Sequence, residues 1–269
     1  MKKAIVERNV VNSQGILFAA KGEAVNQQRL EDLLSRGVIS FEEYVECNPT
    51  ATEADMAKAF ISYSIGKIIP FAPETIKHEV MEILEQVSNE NSVTEMVGCL
   101  ERRSLWSYEH SMRVAIIAAA IGKNMKFSSD ELIVAAEGSI VHDVGKIFFV
   151  SLVEKHSALT QEEYKTIKEH TKAGYRFLKG AGFKEEVAEI ALLHHERRNG
   201  SGYWGVSDLP RTVEAVGIAD SIDAMMAARP YKSGIDINKV IGQLTEEYRI
   251  NNSYDPNMLI EARKLMLLP

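Results

Sequence analysis

The pattern of hydrophobic and polar positions divides the chain at about residue 50. Before that point, short apolar runs such as AIVERNVV and GILFAA are separated by turns that contain glycine, which predicts short strands. The segment NQQRLEDLLSRGV has leucines at helical spacing, which predicts one helix. Residues 1–50 are therefore predicted to form a small mixed α/β accessory module.

From about residue 51 onward, apolar positions recur with the period of an α-helix. Thr52 precedes Glu53 and Asp55, an arrangement typical of a helix N-cap followed by an acidic first turn. The predicted helical stretches are MAKAFISYSIGKII, TIKHEVMEILEQVSN, WSYEHSMRVAIIAAAIGKNM, SDELIVAAEGSIVHDVG, QEEYKTIKEHTKAGYRFLK, EEVAEIALLHHE, TVEAVGIADSIDAMMAA and INKVIGQLTEEYR. The fold is therefore predicted to be mainly α, a helical bundle with the small module at its N-terminus.

The composition restricts the partners and the location that we expect. The 269 residues carry a formal net charge of −7, which argues against a nucleic-acid polymer as the partner. No apolar run approaches the roughly 20 residues that cross a bilayer, and the first residues are too polar for a signal peptide. Cys47 and Cys99 match no disulfide framework. We expect a cytoplasmic protein without a membrane partner.

Seven residues that can bind metals lie at the apolar edges or the ends of predicted helices. They are His110, His142, Asp143, His170, His194, His195 and Asp220. A single histidine in such a place is usually structural, but the joint pattern spans five helices. Helical bundles build metal sites from side chains on facing helices, and burying so many polar groups without partners would be costly. The pattern therefore predicts a metal centre.

The size and chemistry of this set indicate two divalent ions that share Asp143. Seven ligands are more than one first-row ion normally takes, and the set contains no thiolate, so iron or manganese fits at least as well as zinc. Two neighbouring ions hold a bridging hydroxide and clamp the oxygens of a phosphoryl group during in-line displacement. The sequence therefore predicts a hydrolytic site in which Asp143 holds the nucleophile.

Two stretches of the chain resemble a known family. HDVGK contains His142, Asp143 and Lys146, and HHERRNGSGYWG begins with His194 and His195. With the other ligands in this order, the chain resembles the HD superfamily of metal-dependent phosphohydrolases. HHERRNGSGYWG and the later IADSIDAMMAARPYKSG are similar to the HD-GYP subgroup, whose pattern is HHE-x-x-DGxGYP. The resemblance covers about residues 100–235, and it implies a phosphodiesterase for the bacterial second messenger cyclic di-GMP.

The resemblance also implies roles for individual residues. One metal would be held by His110, His142, Asp143 and Asp220, and the other by Asp143, His170, His194 and His195. Asp143 and Lys146 would be catalytic, and the substrate contacts would be Lys146, Arg229, Gly202, Tyr203 and Trp204. It further implies a helical connecting segment over residues 51–100 and an HD-type catalytic helical domain over residues 101–269. Asp223, one turn after Asp220, is expected to orient a ligand or Arg229.

Three positions depart from the family pattern. Asn199 stands where the family has Asp, and Trp204 replaces the Pro of GYP. Trp204 has two alternative roles, stacking on a base or packing under the loop. Trp106 occupies the position at which some members carry a Glu that recruits a third metal. Because tryptophan cannot bind a metal, we expect a two-metal site that opens cyclic di-GMP to linear pGpG.

Two other functions remain open at this point. The altered loop is compatible with another cyclic dinucleotide, such as cyclic GMP-AMP. A different class of function is a catalytically weak protein that acts in signalling by binding. The GYW loop or the N-terminal module is also a predicted contact surface for a protein partner.

Overall fold

A computed structural model of the chain describes residues 3–5, 10–11, 17–19, 24–26, 34, 52–103, 105–153, 155, 157–226 and 234–267. Arg229, a predicted substrate contact, lies outside the described residues, as does most of the predicted N-terminal module.

Helices dominate the described residues. They are α1 (Glu53–Ile68), α2 (Glu74–Ser88), α3 (Asn91–Arg103), α4 (Leu105–Asn124), α5 (Ser129–Val141), α6 (Val150–Val153), α7 (Gln161–Lys168), α8 (His170–Gly180), α9 (Glu185–Leu193), α10 (Arg211–Met226), α11 (Ile237–Asn251) and α12 (Pro256–Met266). A 3-10 helix over Val144–Phe148 follows α5. The predicted mainly α bundle is confirmed.

Local sequence signals set where several of these helices begin. The Thr52 hydroxyl accepts a hydrogen bond from the Asp55 backbone N–H, and the Asp55 carboxylate accepts one from Thr52. This reciprocal capping box satisfies two backbone donors at the start of α1. Ser128 with Glu131 caps α5 in the same way, as Thr160 with Glu163 caps α7. The N-cap predicted at Thr52 is confirmed.

One continuous apolar core contains side chains from every helix of the described residues except α6 and α7. Helix α4 crosses its centre and contacts α1, α2, α3, α5, α10 and α12. Ile116, Ile117 and Ile121 of α4 are fully buried, and so is the run of three alanines at 118–120. Small side chains let neighbouring helices approach closely, while the isoleucines fill the space between them. The core thereby fixes the helices that carry the predicted ligands.

The structure corrects the prediction of a single helix through QEEYKTIKEHTKAGYRFLK. The chain forms two helices, α7 and α8, with the break at Glu169. The His170 imidazole bonds the Ile167 carbonyl, and the Thr171 hydroxyl donates to the Lys168 carbonyl. Side chains that take carbonyls in this way compete with the regular backbone hydrogen bonds of a helix. The break places His170 in the first turn of α8.

The N-terminal segment is described only in part. Lys3–Ile5 pairs antiparallel with Ala24–Asn26, and Val10–Val11 pairs antiparallel with Leu17–Ala19. Since the residues between these strands lie outside the described residues, the mixed α/β module stays a prediction.

Across the described residues, none of the helices has both the length and the apolar character that a membrane span requires.

Candidate metal centre

Seven side chains converge in the middle of the bundle, and they come from five separate places in the chain. They are His110 on α4, His142 and Asp143 directly after α5, His170 at the start of α8, His194 and His195 directly after α9, and Asp220 on α10. Six of these side chains are at most 7% exposed, while the His195 side chain is 19% exposed. The structure therefore brings together all the residues predicted from the sequence as metal ligands.

Two imidazoles and the Lys146 ammonium surround one oxygen of the Asp143 carboxylate. Asp143 Oδ2 lies 3.6 Å from His110 Nε2 and 3.4 Å from His142 Nε2. Asp220 lies beside both groups: its Oδ1 is 3.2 Å from His110 Nε2 and 3.9 Å from His142 Nε2, and its Oδ2 is 3.6 Å from His195 Nδ1.

The other Asp143 oxygen faces a different set of imidazoles. Asp143 Oδ1 lies 3.3 Å from His170 Nε2 and 3.7 Å from His194 Nε2. His195 completes this group, whose ligand atoms all lie within 4.8 Å of one another. Each carboxylate oxygen of Asp143 therefore points to one group of imidazoles, which is the arrangement expected of a bridging ligand.

Backbone carbonyls fix the protonation of three of the histidines. The Nδ1 atom of His142 lies 2.7 Å from the Ser139 carbonyl oxygen, and that of His170 lies 2.6 Å from the Ile167 oxygen. His194 Nδ1 is 3.1 Å from the oxygens of two residues in α9. Because a carbonyl only accepts, each Nδ1 donates its proton. Each Nε2 then presents a lone pair to the cluster, as metal-ligating histidines do.

Four buried atoms in the cluster have no hydrogen-bond partner among the described residues. They are His142 Nε2, Asp143 Oδ1, His170 Nε2 and His194 Nε2. Buried polar atoms without partners are costly, and native proteins rarely keep them. Lone-pair nitrogens and carboxylate oxygens at these distances suit divalent cations. The residues therefore fit metal ions as the missing partners.

The electrostatics of the cluster favour ionised carboxylates and neutral imidazoles at His142, His194 and His195. His110 differs, because burial lowers its pKa but hydrogen bonds with Asp220 and Asp223 raise it to about 9. Burial alone would raise the pKa of Asp143, but the Lys146 ammonium and the neighbouring imidazoles hold it well below its usual range. The Lys146 ammonium contacts the Asp143 carboxylate directly. Burial lowers the pKa of His194 well below its usual range and that of His195 to about 3. Metals bind these same protonation states.

Asp223 and Arg113 support the cluster from behind. Asp223 Oδ2 accepts a hydrogen bond from His110 Nδ1 at 2.7 Å, and Asp223 Oδ1 accepts one from Arg113 Nε at 2.7 Å. Sequence reasoning missed Arg113, although it follows His110 by three residues and so lies on the same face of α4.

The Trp106 ring is stacked parallel to the His110 imidazole, with 5.4 Å between centroids.

Glu196 organises the glycine-rich loop that follows the two histidines. Its buried carboxylate accepts hydrogen bonds from the backbone N–H groups of Trp204 at 2.8 Å and Val206 at 2.9 Å. A Cβ on Gly202 would lie 2.7 Å from both the Glu196 carboxylate and the His195 carbonyl oxygen, so the loop requires glycine there. Sequence reasoning assigned Glu196 no role, although it belongs to the HHE motif.

The two departures in this loop both add hydrogen-bond donors that the structure uses. The indole N–H of Trp204 donates to the Thr171 hydroxyl at 3.0 Å, which ties the loop to α8. Asn199 Nδ2 donates to the Asn251 carbonyl at 2.8 Å, which ties the loop to the end of α11. Proline and aspartate would offer neither donor. Of the two alternatives for Trp204, these contacts favour packing against the protein.

Tyr203 projects from the loop onto the cluster. Its ring centroid lies 4.4 Å from that of His195. Gly202 lies against Glu196 and the His195 carbonyl oxygen, beside the cluster. Arg229, which is also a predicted substrate contact, lies outside the described residues.

Comparison with known proteins agrees with this arrangement. Residues 107–225 match the family described as HD domain. A cyclic di-GMP phosphodiesterase of Thermotoga maritima is 34% identical over 71% of this chain and 50% of its own length. A 3'3'-cGAMP-specific phosphodiesterase of Vibrio cholerae is 26% identical over 66% of this chain and 39% of its own length. The chain thus spans half or less of the length of these curated relatives.

A solved structure shares the fold. It is an HDG"Y"P protein from Bdellovibrio bacteriovorus, with a TM-score of 0.57 and 14% identity over 98% of this chain and 95% of that one. The helical fold, the cluster and the family match together identify an HD domain over residues 107–225. The loop after His195, with GYW in place of GYP, is similar to the loop of the HD-GYP subgroup.

Proposed function

We propose that this protein is a metal-dependent phosphodiesterase that hydrolyses cyclic di-GMP. The observation that carries the proposal is the orientation of Asp143, whose two oxygens each face one group of imidazoles. The Thermotoga maritima relative, which is named as a cyclic di-GMP phosphodiesterase, supports the choice of substrate.

We further propose which residues hold the metal ions. His110, His142, Asp143 and Asp220 would hold one, and Asp143, His170, His194 and His195 the other. The unpartnered buried nitrogens support this division, and the absence of thiolates from the set favours iron or manganese. When bound, the two ions would lower the pKa of a water molecule and neutralise charge on the phosphoryl oxygens.

The chain's own residues contribute to the reaction in three ways. Asp143 stays ionised, because its pKa is held well below the usual range, and so it can keep the nucleophile in place. The Lys146 ammonium, in contact with Asp143, offers positive charge to a phosphoryl oxygen as negative charge develops on it. Tyr203 covers His195 on the side of the loop and limits access of water to the cluster.

Trp106 supports a two-metal site and therefore pGpG as the product. Its ring lies against His110 where some family members provide an additional carboxylate. Without that carboxylate, hydrolysis of the first phosphodiester would release a linear dinucleotide.

A second candidate keeps the chemistry and changes the substrate to 3'3'-cGAMP. The Vibrio cholerae relative, which is named as specific for that compound, favours this candidate. The altered loop beside the cluster also supports a changed preference, since Asn199 and Trp204 attach it to α11 and α8.

The test is to load the full chain anaerobically with iron or manganese, add each cyclic dinucleotide in turn, and separate the products by chromatography. We expect cyclic di-GMP to be converted to pGpG, and we expect Asp143→Asn to abolish the conversion. Asp208→Asn, an exposed change in the loop, is the matched control and should retain activity. If the loaded wild-type chain converts no cyclic dinucleotide, the proposal is wrong, and a binding role in signalling becomes the better account.

We also infer the division into residues 1–50, 51–100 and 101–269. The two antiparallel strand pairs support a separate N-terminal module, which we propose as a contact for a protein partner. Limited proteolysis near residue 50 tests this division. The cytoplasmic location stays a prediction.

A further inference from the structure

A second cationic position lies beside the metal cluster, where α7 meets α8. Lys168 is the last residue of α7 and precedes His170 by two positions. Its ammonium nitrogen lies 5.0 Å from the centroid of the Tyr164 ring and 4.8 Å from that of the Tyr203 ring. The lysine is therefore held in place by two aromatic rings.

The two rings connect this lysine to the cluster. Tyr164 and Tyr203 meet edge to face with 6.2 Å between centroids, and the Tyr203 ring lies 4.4 Å from His195. One aromatic ring thus separates Lys168 from a proposed metal ligand. Tyr164 is 48% exposed, so this side of the group is open to a ligand from solvent.

Lys168 differs from its lysine neighbours in how its charge is balanced. Lys165 pairs with Glu162 and Lys172 pairs with Glu169. Within residues 157–226 and the other described segments, Lys168 has no carboxylate at ion-pair distance, and its observed contacts are the two rings. Aromatic rings attract a cation without cancelling its charge. The ammonium therefore remains available to an anion.

Tyr203 adds a hydrogen-bond donor at the same position. A phenol carries one O–H group, which can donate to an anionic oxygen held by the Lys168 ammonium.

The chemistry of a cyclic dinucleotide supplies such an anion. The molecule contains two phosphodiesters, and the one that reacts at the cluster leaves the other on the far side of the ring. A chain with a net charge of −7 needs a local cation to bind that second anion. We propose that Lys168, with Tyr164 and Tyr203, forms a subsite for the phosphodiester that is not being cleaved. The inference rests on the proposed function.

The test compares two substrates on Lys168→Met, with Lys165→Met on the same helix as the matched control. Cyclic di-GMP has two phosphodiesters, and bis(p-nitrophenyl) phosphate has one. We expect Lys168→Met to raise KM and Kd for cyclic di-GMP about tenfold, as for a lost charged hydrogen bond, with kcat nearly unchanged. Hydrolysis of bis(p-nitrophenyl) phosphate should be unaffected, and Lys168→Arg should restore most of the affinity for cyclic di-GMP.

Three outcomes separate this inference from the proposed function. If Lys168→Met binds cyclic di-GMP as tightly as Lys165→Met does, the subsite is wrong while the proposed function stands. If Lys168→Met slows both substrates equally, Lys168 acts by positioning His170, and the subsite is again wrong. If the wild-type chain cleaves only bis(p-nitrophenyl) phosphate, the proposed function is wrong. The subsite is then also wrong if Lys168→Met binds cyclic di-GMP as tightly as the wild type does.

Discussion

The Asp223 carboxylate accepts a hydrogen bond from His110 Nδ1 at 2.7 Å and thereby directs His110 Nε2 toward Asp143 and Asp220. Asp223 is itself held by Arg113 through two hydrogen bonds, at 2.7 and 3.2 Å. A buried carboxylate that orients a ligating imidazole also makes that imidazole a better metal ligand.

Asp223→Asn should therefore weaken metal binding without removing a ligand. We expect the affinity of the group around His110 to fall about 10- to 100-fold, because the amide supports the imidazole less well than the carboxylate. Competition with a fluorescent chelator measures this affinity. Exposed Asp208→Asn should bind metal like the wild type, and equal affinities for all three proteins would exclude an orienting role for Asp223.

The two groups of ligands should respond differently to pH. In the metal-free protein, burial lowers the pKa of His110, but hydrogen bonds with Asp220 and Asp223 outweigh this and raise it to about 9. Below that pH the imidazole must lose a proton before it can bind a metal. The affinity of its group should therefore rise about tenfold per pH unit and level off above the pKa.

The group around His194 and His195 should show little pH dependence over the same range. Burial lowers the pKa of both residues, so they are already neutral at pH 7. Metal titrations at several values between pH 6.5 and 9.5 test both statements. If the metal affinities of the two groups changed equally with pH, the predicted difference between the groups would be wrong.

Gly145 is required for the close approach of the 3-10 helix to α8. A Cβ at this position would overlap the His170 carbonyl oxygen and lie 2.6 Å from the Gly174 backbone nitrogen. Gly145→Ala should lower the free energy of unfolding by about 1–3 kcal/mol, as expected for overpacking against backbone, and it should displace His170. Urea unfolding measures the loss.

Gly180→Ala is the control for that change, since a Cβ there would meet nothing within 4 Å. Because alanine favours a helix more than glycine does, this variant should be as stable as the wild type or slightly more stable. Equal free energies of unfolding for the two alanine variants would contradict the close contact between Gly145 and His170.

Restoring the family's proline should destabilise this protein. Trp204 donates its backbone N–H to Glu196 and its indole N–H to Thr171, and Trp204→Pro removes both bonds. The buried Glu196 oxygen would lose a partner, at a cost of about 1–3 kcal/mol. Trp204→Phe removes only the indole bond, so it should cost about 0.5–1.5 kcal/mol. Urea unfolding ranks the variants, and a Trp204→Pro protein as stable as the wild type would contradict this account of the loop.

The sequence predicted much of the site because its signals are local and chemically specific. Histidines at the ends and apolar edges of predicted helices indicated the ligands, and the capping pattern at Thr52 indicated the start of α1. The contacts of Trp204 with Thr171, and of Asn199 with Asn251, join residues 33 and 52 positions apart. No periodic pattern encodes such pairs. The break before His170 also escaped prediction, since it depends on side chains at the start of α8 that bond carbonyls of α7.

The central claim is that Asp143 joins two groups of imidazoles around a pair of ions. Anomalous diffraction from crystals of the full chain grown anaerobically with manganese tests it most directly. We predict two peaks per chain, one between Asp143 and the His110 group and the other between Asp143 and His170. A fully loaded sample that shows no peak at Asp143, or peaks only at surface carboxylates, would contradict the claim.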